Sequence, residues 1–232
     1  MKLGILAAGI VAMASAFSAG AATTVVDLGS YTLSYDDATV LGGMSSNFSS
    51  SDGTAGFSWT LPSSINLVSA GGAATSANFS LPDFTITANA GYSLGGPLTG
   101  FLGNLVYTEY GTDATTSAAA TGQASINGGS FVAVGGNLER FETVSFANGS
   151  SGYFASSATV PTGSFTSFSV KDLVLTLNAS GGSFASIIAQ PQNELKISFL
   201  AAPVPEPETY AMMLAGIGLI LTIAQRRKKR EA

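Results

Sequence analysis

Two pairs of acidic residues, Asp36 with Asp37 and Glu139 with Glu142, have spacings that a catalytic or metal-binding carboxylate pair could use. Along a regular β-strand, adjacent residues and residues three apart point to opposite faces. Neither pair would therefore converge on one substrate atom if these stretches are strands. A loop could bring Asp36 and Asp37 onto a calcium ion, which takes about six to eight oxygen ligands, but the sequence has no EF-hand or repeat-type loop. We interpret both pairs as solvated surface acids and predict no metal and no cofactor.

Nucleophilic catalysis has little support, because the sequence contains no His and no Cys. A serine nucleophile would then need a lysine base, and Lys171 and Lys196 both lie in alternating strand patterns without an accompanying motif. The Gly-Gly pairs, which we assign to turns, are scattered and unlike a loop that holds a nucleotide phosphate. We therefore predict that the protein is not an enzyme. The alternative is a surface enzyme that acts on polysaccharide, which would need a cleft that gathers Arg140, a tyrosine and a carboxylate.

Aromatic side chains on a surface could instead stack on sugar rings, which would make the protein a carbohydrate-binding module. The candidates are Tyr31, Tyr35, Trp59, Tyr92, Tyr107, Tyr110 and Tyr153. We expect most of them in the core, because each buries about 150–250 Å² when it packs there. A row of Tyr or Trp facing solvent would favour the carbohydrate-binding alternative.

The central part of the chain, residues 23–202, is acidic. Its only basic residues are Arg140, Lys171 and Lys196, against eleven acidic residues, a balance of −8. Phosphate binding needs clustered Lys or Arg, so nucleic acid is not an expected partner.

The same residues predict an all-β body, an antiparallel β-sandwich of jelly-roll-like type. Apolar side chains alternate with polar ones in KDLVLTLNA (171–179) and ELKISFLA (194–201), which is the period of a half-buried strand. Gly29 and Ser30 separate two short strands and predict a hairpin. The segment TDATTSAAATGQAS is small and polar, and we assign it to a long loop or an edge strand.

The N-terminus has the layout of a secretory signal peptide over residues 1–22. Lys2 precedes an apolar run, and the run ends in the small residues Ala19, Ala21 and Ala22, which mark the cleavage region. The sequence therefore predicts export.

The C-terminus combines a proline-rich linker, an apolar segment and a basic end. Three prolines within residues 203–208 favour an extended linker. Residues 209–225 carry no charge and predict a single transmembrane helix, and the basic block within residues 226–232 should stay in the cytoplasm. The body would then be held outside the inner membrane.

In order and spacing, these C-terminal features resemble the PEP-CTERM sorting signal of Gram-negative bacteria. The residues that carry the resemblance are Val204, Pro205, Glu206 and Pro207, followed after the apolar segment by Arg226 and Arg227. The resemblance implies recognition by an exosortase, a membrane-embedded transpeptidase that would act near the Pro-Glu-Pro and remove the helix. It also implies delivery to the cell surface or extracellular matrix, with a link to exopolysaccharide and biofilm.

Overall fold

The computed structural model describes residues 23–204 and 211–220. These residues form thirteen antiparallel β-strands and one short helix, so the predicted all-β antiparallel body is confirmed. In chain order the elements are β1 (Thr23–Asp27), β2 (Tyr31–Asp36), β3 (Ser46–Ser49), β4 (Thr54–Thr60), β5 (Asn66–Ser80), β6 (Phe84–Ala88), β7 (Tyr92–Tyr110), β8 (Thr115–Ile126), β9 (Val132–Asn137), β10 (Glu139–Phe146), β11 (Gly149–Pro161), β12 (Ser167–Ile188), β13 (Glu194–Pro203) and the helix α1 (211–220).

The strands stack in two layers that are halves of one curled sheet. One layer has the order β1-β2-β6-β12-β8-β9, and β5 runs beside β12 beyond the end of β6. The other layer has the order β3-β4-β13-β7-β11-β10. The layers join where residues 184–188 of β12 pair with residues 106–110 of β7. The sandwich is therefore a single sheet that folds over on itself.

The core lies between the layers and follows from the alternation of apolar residues along the strands. Leu175 and Leu177 of β12 are fully buried, and the inward face of β13, formed by Leu195, Ile197 and Phe199, is buried as well. These are the faces that the sequence patterns predicted. Burying each large apolar side chain stabilises the fold by about 1.5–3 kcal/mol.

Aromatic side chains from both layers meet in the centre of this core. Phe57 and Trp59 of β4 lie 5.5 and 5.7 Å from Phe84 of β6, measured between ring centroids. Tyr31 of β2 meets Phe199 edge-on at 4.9 Å. Contacts of this kind add about 0.5–1.5 kcal/mol each beyond the buried area, so they hold the layers face to face.

Glycines bend β12 where it passes from one layer to the other. Gly181 and Gly182 have φ angles of +73° and +60°, and the register against β5 shifts there. The assignment of this Gly-Gly pair to a turn was therefore wrong, because the pair forms a bulge inside β12. A bulge and a turn both need a positive φ, so the sequence does not distinguish them. Three further pairs also lie inside strands, at 71–72, 95–96 and 135–136.

Candidate functional site

The predicted sorting signal begins where the last strand ends. β13 pairs with β4 as far as Leu200 and with β7 as far as Pro203. The Val204 N–H then donates a 2.8 Å hydrogen bond to the Gly91 carbonyl, while the Val204 side chain faces solvent. The chain therefore leaves the sheet at Val204, after all of the described strands. The other signal residues, Pro205, Glu206, Pro207, Arg226 and Arg227, lie outside the described residues.

The helix α1 covers the described part of the predicted transmembrane segment. All ten of its residues are exposed, among them six large apolar ones, Met212, Met213, Leu214, Ile217, Leu219 and Ile220. Within residues 23–204 and 211–220, no helix has the length and apolar character needed to cross a membrane. Residues 209, 210 and 221–225 of the predicted segment, and the basic tail 226–232, are outside the described ranges.

The predicted signal-peptide cleavage region is also outside these ranges. Ala19, Ala21 and Ala22 immediately precede Thr23, the first residue of β1. The hairpin predicted around Gly29 is present, because the Leu28 N–H donates to the Tyr31 carbonyl at 2.9 Å between β1 and β2.

The structure places the two acidic pairs as follows. The Asp36 carboxylate accepts a hydrogen bond from the Ala38 N–H at 2.8 Å, whereas Asp37 accepts one from the Thr24 hydroxyl at 2.7 Å. Glu139 and Glu142 lie on the exposed strand β10. Among the described residues, no group of three or more acidic side chains is arranged to hold a metal ion.

The two lysines considered as bases lie over aromatic rings. Lys171 Nζ is 4.4 Å from the centre of the Phe131 ring and 3.9 Å from the Asp172 carboxylate. Lys196 Nζ is 4.8 Å from the centre of the Phe48 ring. Such cation–π contacts cover apolar surface while leaving the charge near water.

A partly buried ion pair joins the buried Glu109 of β7 to Arg140 of β10. The guanidinium donates from both terminal nitrogens to the two carboxylate oxygens, at 2.7 and 2.6 Å. The Thr116 hydroxyl of β8 donates to the same carboxylate at 2.7 Å, and the Ser150 hydroxyl of β11 does so at 3.3 Å. The Arg140 guanidinium also lies 4.1 Å above the Tyr107 ring. The ion pair thus ties β7, β8, β10 and β11 together between the layers.

The alternation of inward residues explains this position. Leu105, Tyr107 and Glu109 share the inward face of β7, and Ser150 lies opposite Glu109 in the ladder. A carboxylate on the mostly apolar inward face of β7 needs a cation, and Arg140 supplies it from the edge strand β10. Sequence reasoning named Arg140 but not its partner. The alternation of apolar residues along β7 could have shown that Glu109 faces inward, but not that Arg140 would reach it.

The electrostatics of Glu109 do not favour proton transfer. Burial alone would raise its pKa, but the hydrogen bonds from Arg140 and Thr116 outweigh that effect and lower the pKa below its ordinary value. A general base works best with a pKa near the operating pH and a free oxygen to receive the proton. Arg140, Tyr107 and Glu109 therefore meet the residue requirement of the polysaccharide-enzyme alternative, but the carboxylate is already occupied.

An apolar pocket of about 320 Å³ opens between the layers. It lies between β7, β11 and β13 on one side and β8, β9 and β12 on the other, and Leu138, two residues before Arg140, lines it. Asn137 and Ser156 are the only lining residues with polar side chains. The pocket offers apolar contact and few groups that would orient a polar ligand.

The aromatic residues considered for sugar binding divide between core and surface. Tyr31, Tyr35, Trp59 and Tyr107 are buried, as expected for core residues. The others face outward, with Tyr92 and Tyr110 exposed and Tyr153 half-buried.

Comparison with known proteins identifies the C-terminal segment. Residues 203–229 match the family described as PEP-CTERM protein-sorting motif. No curated protein matches the chain. The matched segment begins at Pro203, the last residue of β13, and includes α1.

Proposed function

We propose that this chain, which carries a PEP-CTERM protein-sorting motif at residues 203–229, is an exported protein of the cell surface or extracellular matrix that an exosortase processes. The sorting motif is the observation that carries the proposal. The predicted signal peptide starts export, and the predicted transmembrane helix with its basic tail retains the protein in the inner membrane until processing. The mature body then reaches the surface, where its role is linked to exopolysaccharide and biofilm.

The position of the motif supports this sequence of events. Every described strand and the described core precede Val204. A cut near Pro205–Pro207 would therefore leave all thirteen strands in the product. The body would therefore keep its strands and its core after processing releases it.

We further propose that the body has a non-enzymatic role. The support is the occupied carboxylate of Glu109, the lack of His and Cys, and the apolar lining of the pocket. Together these features leave the ion pair and the pocket without a His, a Cys or a free carboxylate for proton transfer.

The proposal is tested by changing the two ends of the motif separately in a host with an exosortase. The first variant replaces Pro205, Glu206 and Pro207 by alanine, which should leave the protein full-length and membrane-bound. The second replaces Arg226 and Arg227 by glutamine, which should reduce membrane retention before processing. Glu139→Gln on the exposed strand β10 is the control and should be processed normally. If all three variants were processed and distributed like the unchanged protein, the proposed sorting route would be wrong.

A further inference from the structure

The outer face of the β10 side of the molecule carries several exposed large apolar side chains. Six large apolar residues of this face are between 39% and 54% exposed. We call them the outer patch: Val68, Tyr110, Phe141, Val144, Phe146 and Ile188. They come from four strands, β5, β7, β10 and β12.

The strand register gathers these residues into one surface. Phe146, Tyr110 and Phe184 form one cross-strand row, because Gly149 of β11 pairs with both Phe146 and Tyr110, and Tyr110 pairs with Phe184. Phe141, Tyr153 and Val106 begin a second row, which continues to Ile188.

A third row lies between the other two and is also uncharged. It runs through Val144, Ser151, Thr108, Ser186 and Val68. The outward positions of the three rows contain no Asp, Glu, Lys or Arg, whereas Glu109 and Arg140 point inward from the same strands.

The aromatic side chains of the outer patch are held in place before any partner arrives. The rings of Phe141 and Tyr153 stack with centroids 5.0 Å apart and planes 18° apart. The rings of Tyr110 and Phe146 lie 6.0 Å apart at 30°. Association would therefore cost little additional side-chain entropy.

The exposed area is about what one half of a stable dimer interface needs. Taking about 200 Å² for a whole aromatic side chain and about 100 Å² for an aliphatic one, the six exposed fractions sum to roughly 400 Å². A standard interface buries about 800 Å² on each partner, of which about 57%, or roughly 450 Å², is apolar.

We propose that the outer patch is the surface through which two copies of this chain associate, face to face. Two sheet faces can interdigitate their side chains at about 10 Å, so an exposed apolar sheet face can pack against the same face of a second copy. The distribution of acidic residues also favours the outer patch as the contact surface between two copies. The body carries eleven acids against three bases, so two copies repel one another, and the rows of the outer patch are free of those acids. The outer patch lies in the body and is independent of the sorting motif.

Cross-linking of the full-length chain in intact cells tests the proposal, because the sequence has no Cys of its own. Thr108→Cys places one thiol in the central strand of the outer patch, and Thr176→Cys places one at a half-buried outward position of the other layer. With a flexible bis-maleimide, we expect a product of twice the monomer mass from Thr108→Cys and monomer from Thr176→Cys. Monomer from Thr108→Cys, or equal dimer from both variants, would overturn the proposal.

A charged substitution separates a specific contact from chance proximity. Val144→Lys, combined with Thr108→Cys, should weaken association at least about 10-fold, because two-fold symmetry brings the added charge into the interface twice. Val25→Lys is the matched control, since Val25 is an exposed valine of β1, 64% exposed. Equal cross-linking in both combinations would contradict the proposal.

A neutral glycan is the other occupant that exposed aromatic rings suggest. If Thr108→Cys stayed monomeric and the protein were instead retarded in a dextran gel in a way that Val144→Lys abolished, the outer patch would be a glycan site and the dimer would be refuted.

Discussion

The ion pair between Glu109 and Arg140 gives a stability prediction that can be worked out from the structure. Glu109→Gln keeps the shape of the side chain but removes its charge and presents an amide N–H₂ to a site filled by donors from Arg140, Thr116 and Ser150. Removing one partner of a buried ion pair costs about 3–5 kcal/mol. The Arg140 side chain is 36% exposed and can regain water, so we expect a loss nearer about 2–3 kcal/mol.

Urea unfolding at neutral pH measures this loss. Trp59 is the single tryptophan and is fully buried, so its fluorescence reports the core. With a denaturant slope of about 2 kcal/mol per molar urea, the midpoint should fall by about 1–1.5 M. Glu142→Gln on the exposed strand β10 is the control, and it should change the unfolding free energy by less than about 0.5 kcal/mol.

The pH dependence gives an independent check on the cause. The folded pKa of Glu109 is lowered, so its stabilisation is present above the unfolded pKa and is lost as pH falls through the folded pKa. The difference between the unchanged protein and Glu109→Gln should therefore shrink below about pH 4. A difference of less than about 0.5 kcal/mol at pH 7, or one that persists undiminished in acid, would refute the reasoning.

Three further predictions test the core, the bulge and the ion pair. Phe57→Ala should lower the unfolding free energy by about 3–5 kcal/mol in the same urea assay, because the ring is fully buried against Trp59 at 5.2 Å, and a loss below about 1 kcal/mol would contradict that packing. Gly181→Ala should lower the thermal midpoint more than Gly71→Ala does. Both positions have positive φ, but only the new Cβ of Gly181→Ala would meet a backbone oxygen, at 1.8 Å, and equal shifts would show that the bulge can relax. The double variant Glu109→Met with Arg140→Met should lose less stability than Glu109→Gln alone, as judged by urea midpoints, because it leaves no unpaired charge at the site; a larger loss would mean that the pair is itself strongly stabilising.

The strand pattern predicted much of the fold because alternation reports burial directly. It identified the inward faces of β12 and β13, including Leu175 and Phe199. It did not decide the conformation of β8. Because the residues there are small and polar, the sequence allowed either a long loop or an edge strand. The structure places β8 between β12 and β9, with Ala118 and Ala124 buried. Small side chains fit there but carry almost no hydrophobic signal.

The curl of the sheet and the pairing of Glu109 with Arg140 could not be predicted from the sequence for a different reason. Both depend on which strands become neighbours, and local patterns do not specify that. The turn assignment of Gly181 and Gly182 failed because a bulge inside β12 and a tight turn make the same demand on the backbone. The sorting motif, in contrast, could be predicted from the sequence alone. Its order and spacing are properties of the sequence, and the structure adds the point of exit at Val204.

The intact mass of the protein recovered from the envelope and the growth medium of a host with a working exosortase tests the central claim most directly. The account predicts a product that lacks the residues beyond Pro205–Pro207 and also the N-terminal residues up to about Ala22. A full-length chain that remains in the membrane of such a host would contradict it.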